Sequence, residues 1–576
     1  MNCLEYKNTR TPRIFARIIL CFLMFLCSVC KLAAQGKVIY VVTDIHVMDS
    51  SLIIKEGEAL TNYLANDRKM LNQSTEAFAA VVDSAIIHKA DALLICGDLT
   101  KDGEKIGHER VARMLRKALQ AGVKPFVIPG NHDIRNPFAK YFDGDKTYPA
   151  EWVTAEEFAS IYRDFGYGHD ILRDTHSLSY VCEPIPGLTL LAIDASQYEN
   201  NTSTAHGDDK DVSIVGGAIK PATLDWLLTQ ADEAKNKGNQ VVAMMHQQLI
   251  DHVDGFHKII DYAAIENGDS IANLLMEHGV HLIFTGHLHS TDVATTWDEN
   301  HNTSLTDVST CSTISYPSHY RVIRVSDDCS TLTIDTHRIN SLPSQPDFIQ
   351  FGHTFMENGM ESMTYALSRE QWGLIEQTMK EYFKDINLGI ASVTFRLPTT
   401  PDEFASLVYK HLGSFISDGW FSVQEGNEYD QDVYDRYYKT IKSGVYKILG
   451  EIIENDIYLL GKPLGRTEAR DAIMEKLTPM LQSMFYDLTH VGTINEDRTD
   501  DLHFNINLET GKILTDSEMT GITKNKLTVS DNTTNISIYN LQGQLVNKHQ
   551  DTALPAGCYI VKTNNRTIKI LVKHEN

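Results

Sequence analysis

Five short clusters of residue types that bind metal ions in proteins occur in order along this chain. They are, from the N-terminal side, Asp44-Ile45-His46, Gly97-Asp98, Gly130-Asn131-His132-Asp133, His246 and Gly286-His287-Leu288-His289. In an extended segment residues i and i+2 project to the same side, so Asp44 and His46 can bind one ion together. His287 and His289 can converge on the site for the same reason. Carboxylate, imidazole and amide oxygen suit Mn, Fe or Zn, so the clusters predict a transition-metal site.

The order of these clusters carries more information than any one of them. A single Asp-x-His is usually accidental, and a single histidine after a strand is more often structural. All five clusters in this order, four of them at the ends of predicted strands, indicate one shared site. The glycines that precede Asp98, Asn131 and His287 are expected to let the backbone turn sharply beside the ligands.

Short β-branched runs alternate with helical stretches between residues 37 and about 339, which predicts an α/β core. The predicted strands are residues 38–43, 92–96, 125–128, 188–193, 240–245 and 281–285. In open α/β sheets, sites form at the carboxyl ends of strands. His246 directly follows the predicted strand 240–245, and we therefore prefer it as a ligand over His252 and His257.

The pattern changes to helices after residue 342, and we predict a helical domain over residues 343–500. Ser368 and Gln371 have the spacing of a capping box, which predicts that a helix begins there. Thr400 and Pro401 predict the start of another helix. The tyrosines of this domain could stack on a base of a substrate, but packing within the domain is the preferred interpretation.

The order D-x-H, GD, GNHD, H, GHxH resembles the signature of calcineurin-like metallophosphoesterases, over roughly residues 40–339. The resemblance implies a metallophosphoesterase domain at residues 35–342, with a β-sandwich core of mixed sheets flanked by helices. It also implies one metal ion held by Asp44, His46, Asp98 and His289, and a second held by Asp98, Asn131, His246 and His287. Asp98 would bridge the two ions, His132 would contact the phosphate, and Asp133 would orient His132.

The chain carries a formal net charge of -24, which argues against a stable nucleic-acid partner because polyanions would be repelled. A small anionic substrate remains compatible, because bound metal ions reverse the charge locally. Two divalent ions carry four positive charges, of which Asp44 and Asp98 cancel two. A water that bridges two such ions gives hydroxide near neutral pH, and this hydroxide would attack the phosphorus of a phosphate ester.

Among phosphate esters we expect a diester, such as a cyclic nucleotide, to be the substrate. The reason is that a core followed by a helical domain resembles exported bacterial cyclic-nucleotide phosphodiesterase-like proteins. A phosphomonoesterase is the alternative, because the motifs do not separate the two activities. A catalytically silent surface binding protein on the same fold is a third hypothesis, and it is disfavoured because every ligand position is filled.

Residues 1–34 have the composition of a signal peptide. Arginines precede an apolar run at residues 18–29, and small residues follow before Gln35. A membrane-spanning helix needs about 20 apolar residues, so a membrane anchor is the less favoured alternative. Lipid attachment at Cys30 is weaker still, because the bulky Val29 precedes it. We predict an exported protein in the periplasm, at the cell surface or outside the cell, of open oligomeric state.

Residues 501–576 predict a linker followed by a small β-module. Its strands are predicted at residues 535–539, 544–547, 557–562 and 567–572. The Ile538-Tyr539-Asn540 strand, the Leu554-Pro555-Ala556-Gly557 turn and the basic residues near the end resemble the sorting tail of type IX secretion cargo. The resemblance implies that secretion machinery is a partner of this module. A generic β-sandwich binding module is the alternative.

Overall fold

The computed structural model describes most of the chain between residues 36 and 572. The described residues are 36–65, 67, 69–201, 214–252, 262–384, 396–426, 431–452, 457–459, 462–464, 466–489, 501–515, 518, 537–540, 545–547, 557–562 and 567–572. The predicted signal peptide at residues 1–34 lies outside them. None of the helices in this described part is both long and apolar enough to cross a membrane.

Strands and helices alternate as far as Arg338, and mainly helices follow from Phe348. The strands are β1 (Lys37–Val42), β2 (Ile53–Lys55), β3 (Ala92–Cys96), β4 (Lys124–Ile128), β5 (Lys140–Asp143), β6 (Lys146–Pro149), β7 (Leu172–Arg173), β8 (Tyr180–Ile185), β9 (Leu188–Ala192), β10 (Gln240–Met244), β11 (Leu282–Thr285), β12 (Asp292–Trp297), β13 (Ser304–Ser309), β14 (His319–Val325), β15 (Thr331–Arg338), β16 (Ile457–Leu459), β17 (Lys462–Leu464), β18 (His503–Asn507), β19 (Ile513–Leu514), β20 (Ser537–Asn540), β21 (Leu545–Asn547), β22 (Gly557–Lys562) and β23 (Thr567–Val572). The helices are α1 (Glu58–Ala65), α2 (Ser74–Ile87), α3 (Lys105–Gln120), α4 (Ala155–Ile161), α5 (Pro221–Asn236), α6 (Gly268–Glu277), α7 (Phe348–Glu370), α8 (Trp372–Lys384), α9 (Pro401–Glu425), α10 (Gln431–Ile452) and α11 (Arg466–Thr489).

Two mixed seven-stranded sheets form the core. The first has the order β19-β18-β15-β14-β1-β3-β4, and the second has the order β12-β13-β11-β10-β9-β8-β7. β1, β3 and β4 are parallel to one another, and so are β9, β10, β11 and β13. The candidate ligands all follow members of these two parallel sets, namely β1, β3, β4, β10 and β11.

Side chains that alternate along the strands build two apolar layers. Leu190 on β9 and Met244 on β10 belong to the large core that also contains the inner residues of the first sheet. Their neighbours Leu191 and Ala243 point the other way and pack with Leu227 of α5. Successive residues of a strand point to opposite faces, so each strand serves both layers. The predicted β-sandwich of mixed sheets flanked by helices is confirmed.

All six strands that we predicted in the core are present, each within one residue at either end. The agreement has a simple cause. β3 and β9 are buried at every residue, and a strand buried on both faces has a continuous apolar sequence with abrupt ends.

The helix predicted to begin near Ser368 is present as α8, but α7 precedes it and was not predicted. Ser368 does not cap a helix, because its hydroxyl donates to the Thr364 carbonyl (2.7 Å) inside α7. The cap is Asp347, whose carboxylate accepts the backbone N–H of Gln350 (3.3 Å). The predicted start at Thr400 is confirmed, since its hydroxyl accepts the N–H of Glu403 (3.2 Å) at the beginning of α9.

Residues 503–514 return to the first sheet rather than forming part of a linker. β18 pairs antiparallel with β15, so that Phe504 lies opposite Ile334. Phe504 and Ile506 alternate along β18 and are both buried, which explains why this segment joins the core. β20 to β23 form a separate sheet with the order β21-β20-β22-β23, close to the four strands predicted there.

Candidate metal centre

Left-handed backbone turns carry several of the predicted ligands. The φ angles of Asp44, His46 and Asp98 are 50°, 37° and 50°, and those of His287 and His289 are 72° and 58°. Such angles are uncommon for residues with a side chain and concentrate at functional sites. The expectation of extended i, i+2 pairs is therefore wrong about the backbone. The pairing of Asp44 with His46 still arises, because the turn brings both side chains to the same side.

Backbone hydrogen bonds between loops hold these turns. Asp44 N donates to Gly97 O (3.1 Å), His46 N donates to Asp98 O (2.9 Å), and Gly286 N donates to His246 O (2.9 Å). The loops after β1, β3, β10 and β11 therefore brace one another, and the position of each ligand depends on its neighbours.

The glycines before the ligands act in two different ways. Gly97 has φ 86°, so it supplies the expected sharp turn. Gly130 and Gly286 are needed for close approach instead. A Cβ on Gly130 would lie 2.2 Å from Asp98 Oδ1, and one on Gly286 would lie 2.1 Å from Thr43 Oγ1.

Asp44, His46 and His289 form the first group of possible ligands. Asp44 Oδ1 lies 3.2 Å from His289 Nε2 and 3.7 Å from His46 Nε2. The outer nitrogens of both rings are already engaged. His46 Nδ1 lies 3.2 Å from Thr100 O, and His289 Nδ1 lies 3.0 Å from Ser315 Oγ. Contacts of this kind fix the ring orientation of metal-binding histidines.

Asp44, Asp98 and His246 form the second group, and Asn131 adjoins it. His246 Nε2 lies 3.3 Å from Asp98 Oδ2 and 3.1 Å from Asn131 Oδ1. Its Nδ1 lies 2.9 Å from Cys96 O. The two alternatives to His246 as a ligand were His252 and His257. His252 pairs with Asp292 (2.7 Å) and belongs to neither group, and His257 lies outside the described residues.

Asp98 faces both groups with a single oxygen. Its Oδ2 lies 3.5 Å from His46 Nε2 and 3.3 Å from His246 Nε2, while its Oδ1 accepts the backbone N–H of His132 (2.9 Å). The geometry is compatible with the bridging role that the resemblance implies, and that role remains a prediction.

His287 lies beside the second group without joining it closely. Its ring is 5.1 Å from the His246 ring, and its Nε2 lies 3.1 Å from Tyr262 O. Burial, followed by the charge of His246, lowers the pKa of His287 to about 3. A neutral ring that donates Nε2–H to this carbonyl keeps a lone pair on Nδ1, as a ligand must.

His132 is oriented by Asp102 and not by Asp133, which corrects the sequence interpretation. His132 Nδ1 lies 3.0 Å from Asp102 Oδ1 and 3.0 Å from Lys101 O. The Asp133 carboxylate points into its own loop, where it accepts the N–H groups of Leu99 (2.9 Å), Thr100 (3.0 Å) and Gly130 (2.9 Å). Asp133 is therefore a brace for the loops after β3 and β4.

Residues 37–291 match the family model described as calcineurin-like phosphoesterase. These residues form a calcineurin-like phosphoesterase domain. The match spans all five sequence clusters, and most of the matched strands belong to the two mixed sheets, whereas β2, β5 and β6 form a separate three-stranded sheet. The family consists of metal-dependent hydrolases of phosphoric esters, so this domain is a phosphoesterase, and the family implies two divalent metal ions.

Many solved structures are similar to this chain, and two of them illustrate how distant the similarity is. A dimetal phosphatase from Danio rerio has 15% sequence identity, covers 53% of this chain and 96% of its own, and has a TM-score of 0.35. A phosphopantetheinyl hydrolase from Mycobacterium tuberculosis has 12% identity, covers 48% of this chain and 90% of its own, and has a TM-score of 0.23. Comparison with curated protein sequences gives no match.

The residues of the phosphoesterase fit two divalent ions. Asp44 Oδ2 accepts hydrogen bonds from Thr43 Oγ1 (2.7 Å) and His287 N (2.9 Å), whereas the buried Oδ1 has no hydrogen-bond partner. Buried polar atoms nearly always have a partner, and a cation between this oxygen, His289 Nε2 (3.2 Å away) and His46 Nε2 (3.7 Å away) would supply one. Burial alone would raise the pKa of Asp44, but the neighbouring His289 and His246 outweigh it and hold the pKa below its usual value.

Sequence reasoning missed two polar residues that orient the site of the phosphoesterase. Asp102 holds His132, and Ser315 contacts His289. Asp102 had a detectable signal, because it belongs to the polar run that directly follows β3. Ser315 had none, since it lies far along the chain in a loop between β13 and β14.

Proposed function

We propose that this phosphoesterase hydrolyses phosphate diesters, with Mn, Fe or Zn held by Asp44, His46, Asp98, Asn131, His246, His287 and His289. The observation that supports the proposal most directly is the position of Asp98 Oδ2, within 3.5 Å of both His46 Nε2 and His246 Nε2. One carboxylate oxygen can then serve two adjacent ions. When bound, such ions supply Lewis acidity toward the phosphoryl oxygens and toward the attacking water.

His132 is the group of the chain that acts on the leaving oxygen. Its side chain is 28% exposed, and its Nε2 lies 3.9 Å from Asp98 Oδ2, so it borders the ligand groups from the open side. Because Asp102 and Lys101 O engage Nδ1, only Nε2 is free to meet an ester. Burial lowers the pKa of His132, but Asp98 and Asp102 reverse this, and the net pKa is raised toward the proton-donating form.

A diester is favoured over a monoester by the architecture after the core. The end of α9 reaches the loop that holds His289, because the Tyr316 hydroxyl donates to the Glu425 carboxylate next to Ser315. A helical wall at this position can contact the second alcohol of a diester, which a monoester lacks. The helical region therefore contributes to substrate choice in this proposal.

The test is a substrate screen of purified full-length protein loaded in turn with Mn, Fe and Zn. Bis(4-nitrophenyl) phosphate and cyclic nucleotides represent diesters, and 4-nitrophenyl phosphate and mononucleotides represent monoesters. We expect a higher kcat/KM for a diester than for every monoester. A higher value for a monoester would establish the phosphomonoesterase instead. Full metal loading without any hydrolysis would support the silent binding protein.

A further inference from the structure

Asp102, the carboxylate that orients His132, uses its two oxygens for different partners. Its Oδ1 lies 3.0 Å from His132 Nδ1. Its Oδ2 accepts hydrogen bonds from Lys101 Nζ (2.5 Å) and from the Tyr63 hydroxyl (2.9 Å). Tyr63 belongs to α1 and precedes Asp102 by 39 residues, so it lies outside all five sequence clusters.

The ring of Tyr63 is packed on two sides, which fixes the direction of its hydroxyl. Its edge meets the ring of Phe142 on β5, with the ring centroids 5.2 Å apart, and Lys101 Nζ lies 4.8 Å from its centroid. Burial, and after it the charge of Asp102, raises the pKa of Tyr63 well above its usual value. The hydroxyl therefore keeps its proton and remains a donor to Asp102.

Lys101 alone does not secure Asp102, because its ammonium is shared. The fully buried Nζ also lies 2.8 Å from Glu104 Oε1, so one positive charge serves two carboxylates. A buried carboxylate is costly unless it is both paired and hydrogen-bonded. The Tyr63 hydroxyl supplies the second donor to Oδ2 of Asp102.

The fixed carboxylate determines which nitrogen of His132 faces the ester. Asp102 Oδ1 and Lys101 O, the two partners of His132 Nδ1, can only accept, so Nδ1 carries a hydrogen. Rotation of the Asp102 carboxylate would carry Oδ1 away from this hydrogen. Two donors on Oδ2 oppose the rotation, and support of this kind holds a functional side chain in its productive geometry.

We propose that Tyr63 is a positioning residue for hydrolysis. Its hydroxyl holds Asp102 so that Oδ1 binds the Nδ1–H of His132, and Nε2 is directed toward the leaving oxygen. Tyr63 acts through Asp102 and makes no contact with the ester in this role. The part in hydrolysis rests on the proposed function, whereas the chain of hydrogen bonds from Tyr63 to His132 does not.

The first experiment compares metal-loaded, full-length wild type with Tyr63→Phe, which keeps the packed ring and removes only the donor. A hydrogen bond to a charged group contributes enough that kcat for a nucleotide ester should fall roughly 10-fold. The kcat for bis(4-nitrophenyl) phosphate should stay close to that of the wild type, because 4-nitrophenolate leaves without a proton. Tyr148→Phe, at an exposed tyrosine of β6, is the matched control and should resemble the wild type on both esters.

The same measurement on an Asp102→Asn background shows whether Tyr63 acts through Asp102. Residues that act as one unit have non-additive effects, so Tyr63→Phe should add no further loss on this background. A further loss would overturn the proposal. So would an unchanged kcat for the nucleotide ester in Tyr63→Phe, an equal fall on both esters, or a loss of bound metal. Any nucleotide ester that the wild type hydrolyses will serve, so a preference for monoesters does not affect this test.

A second experiment needs no turnover. In zinc-loaded protein labelled with ¹⁵N-histidine, the His132 signal is assigned by its absence from His132→Gln. We expect the Nδ1 proton of His132 to exchange with solvent faster in Tyr63→Phe than in the wild type or in Tyr148→Phe. An unchanged exchange rate would overturn the proposal. A wild type that hydrolyses nothing would refute the proposed function, while faster exchange would still support the hold of Tyr63 on Asp102 and His132.

Discussion

At the scale of single residues, Asp98 is the side chain on which the account depends most. It contacts both ligand groups and also accepts the backbone N–H of His132. No other described side chain does all three. The loss of its carboxylate should therefore affect metal binding and phosphate positioning together.

We expect Asp98→Ala to abolish hydrolysis and to lower the bound metal below two ions per chain. Replacing residues that only support metal ligands already costs roughly 10- to 100-fold in metal affinity, and a direct ligand should cost more. Metal analysis and kcat for a diester provide the measurement. Asp225→Ala, at an exposed aspartate of α5, is the control. Full activity in Asp98→Ala would show that the carboxylate is not a ligand.

His132→Gln should reduce hydrolysis of nucleotide-type esters by roughly 10²–10⁴, the usual contribution of a general acid. A ribose oxygen is a basic leaving group and needs a proton, whereas 4-nitrophenolate leaves without one. The measurement is kcat/KM for both ester types in wild type and variant. An equal loss on both would mean that His132 only binds phosphate.

Asp102→Asn and Asp133→Asn separate the two aspartates near His132. Asp102→Asn should act in the same direction as His132→Gln and no more strongly, because Asp102 acts through the imidazole. Asp133→Asn should instead lower the free energy of unfolding by about 1–3 kcal/mol, since buried N–H groups lose their acceptor. Denaturant unfolding and the ratio of kcat/KM between ester types distinguish the role of Asp102 from that of Asp133. A changed ester ratio in Asp133→Asn alone would restore the original interpretation.

The sequence indicated which residues gather but not how they are oriented. The GNHD cluster places His132 and Asp133 side by side, yet their side chains leave the loop in different directions. That direction depends on the loop after β3, which is distant in sequence and offers acceptors to His132 and N–H donors to Asp133. The polar run after β3 marked Asp102 as a candidate, but its contact with His132 arises only where the loops after β3 and β4 meet.

At the scale of secondary-structure elements, the core strands could be predicted because each is a continuous apolar run with a sharp polar end. The first helix after the core, α7, could not be predicted in this way. Ser368 and Gln371 have the spacing of a capping box, but α7 already extends through Ser368. Tertiary packing sets the length of α7. Met356 and Met360 on α7 are buried against Tyr316, so tertiary contacts stabilise this helix.

The contact between α9 and the core makes a prediction at this scale. Tyr316→Phe removes the hydrogen bond to Glu425 and loosens the end of α9 beside the site. We expect the ratio of kcat/KM for diester and monoester to change, by up to roughly 100-fold if the wall moves by an ångström. Bound metal should stay constant. Tyr409→Phe, on α9 but distant from Glu425 in sequence, is the matched control. An unchanged ratio would remove the helical region from substrate choice.

At the scale of the whole molecule, an acidic surface is compatible with an anionic substrate, because the net charge and the metal ions act over different distances. A net charge of -24 repels polyanions at a distance, whereas bound metal ions would reverse the charge only in their immediate surroundings. The return of β18 and β19 to the first sheet could not be predicted from the change in sequence pattern after the helical region. Pairing between residues 331–335 and 503–507 spans the whole helical region, and sequence periodicity carries no information on partners so far apart.

We propose that the chain is exported and that residues 1–34 are removed. N-terminal sequencing of the native protein should then begin near Gln35, in a fraction outside the cytoplasm. A variant with a charge inserted into the apolar run at residues 18–29 should remain in the cytoplasm, because translocation requires that run. Intact residues 1–34 on a soluble cytoplasmic wild type would contradict the proposal.

If hydrolysis of phosphate esters by this chain requires two bound metal ions, its activity must follow the number of ions bound, and a metal titration measures this. The purified protein is stripped of metal with a chelator, and kcat for bis(4-nitrophenyl) phosphate is then measured against the number of ions bound per chain. We expect no activity without metal and full recovery at two ions per chain, with Asp98→Ala inactive throughout. Full activity in excess chelator, with no metal bound, would contradict it.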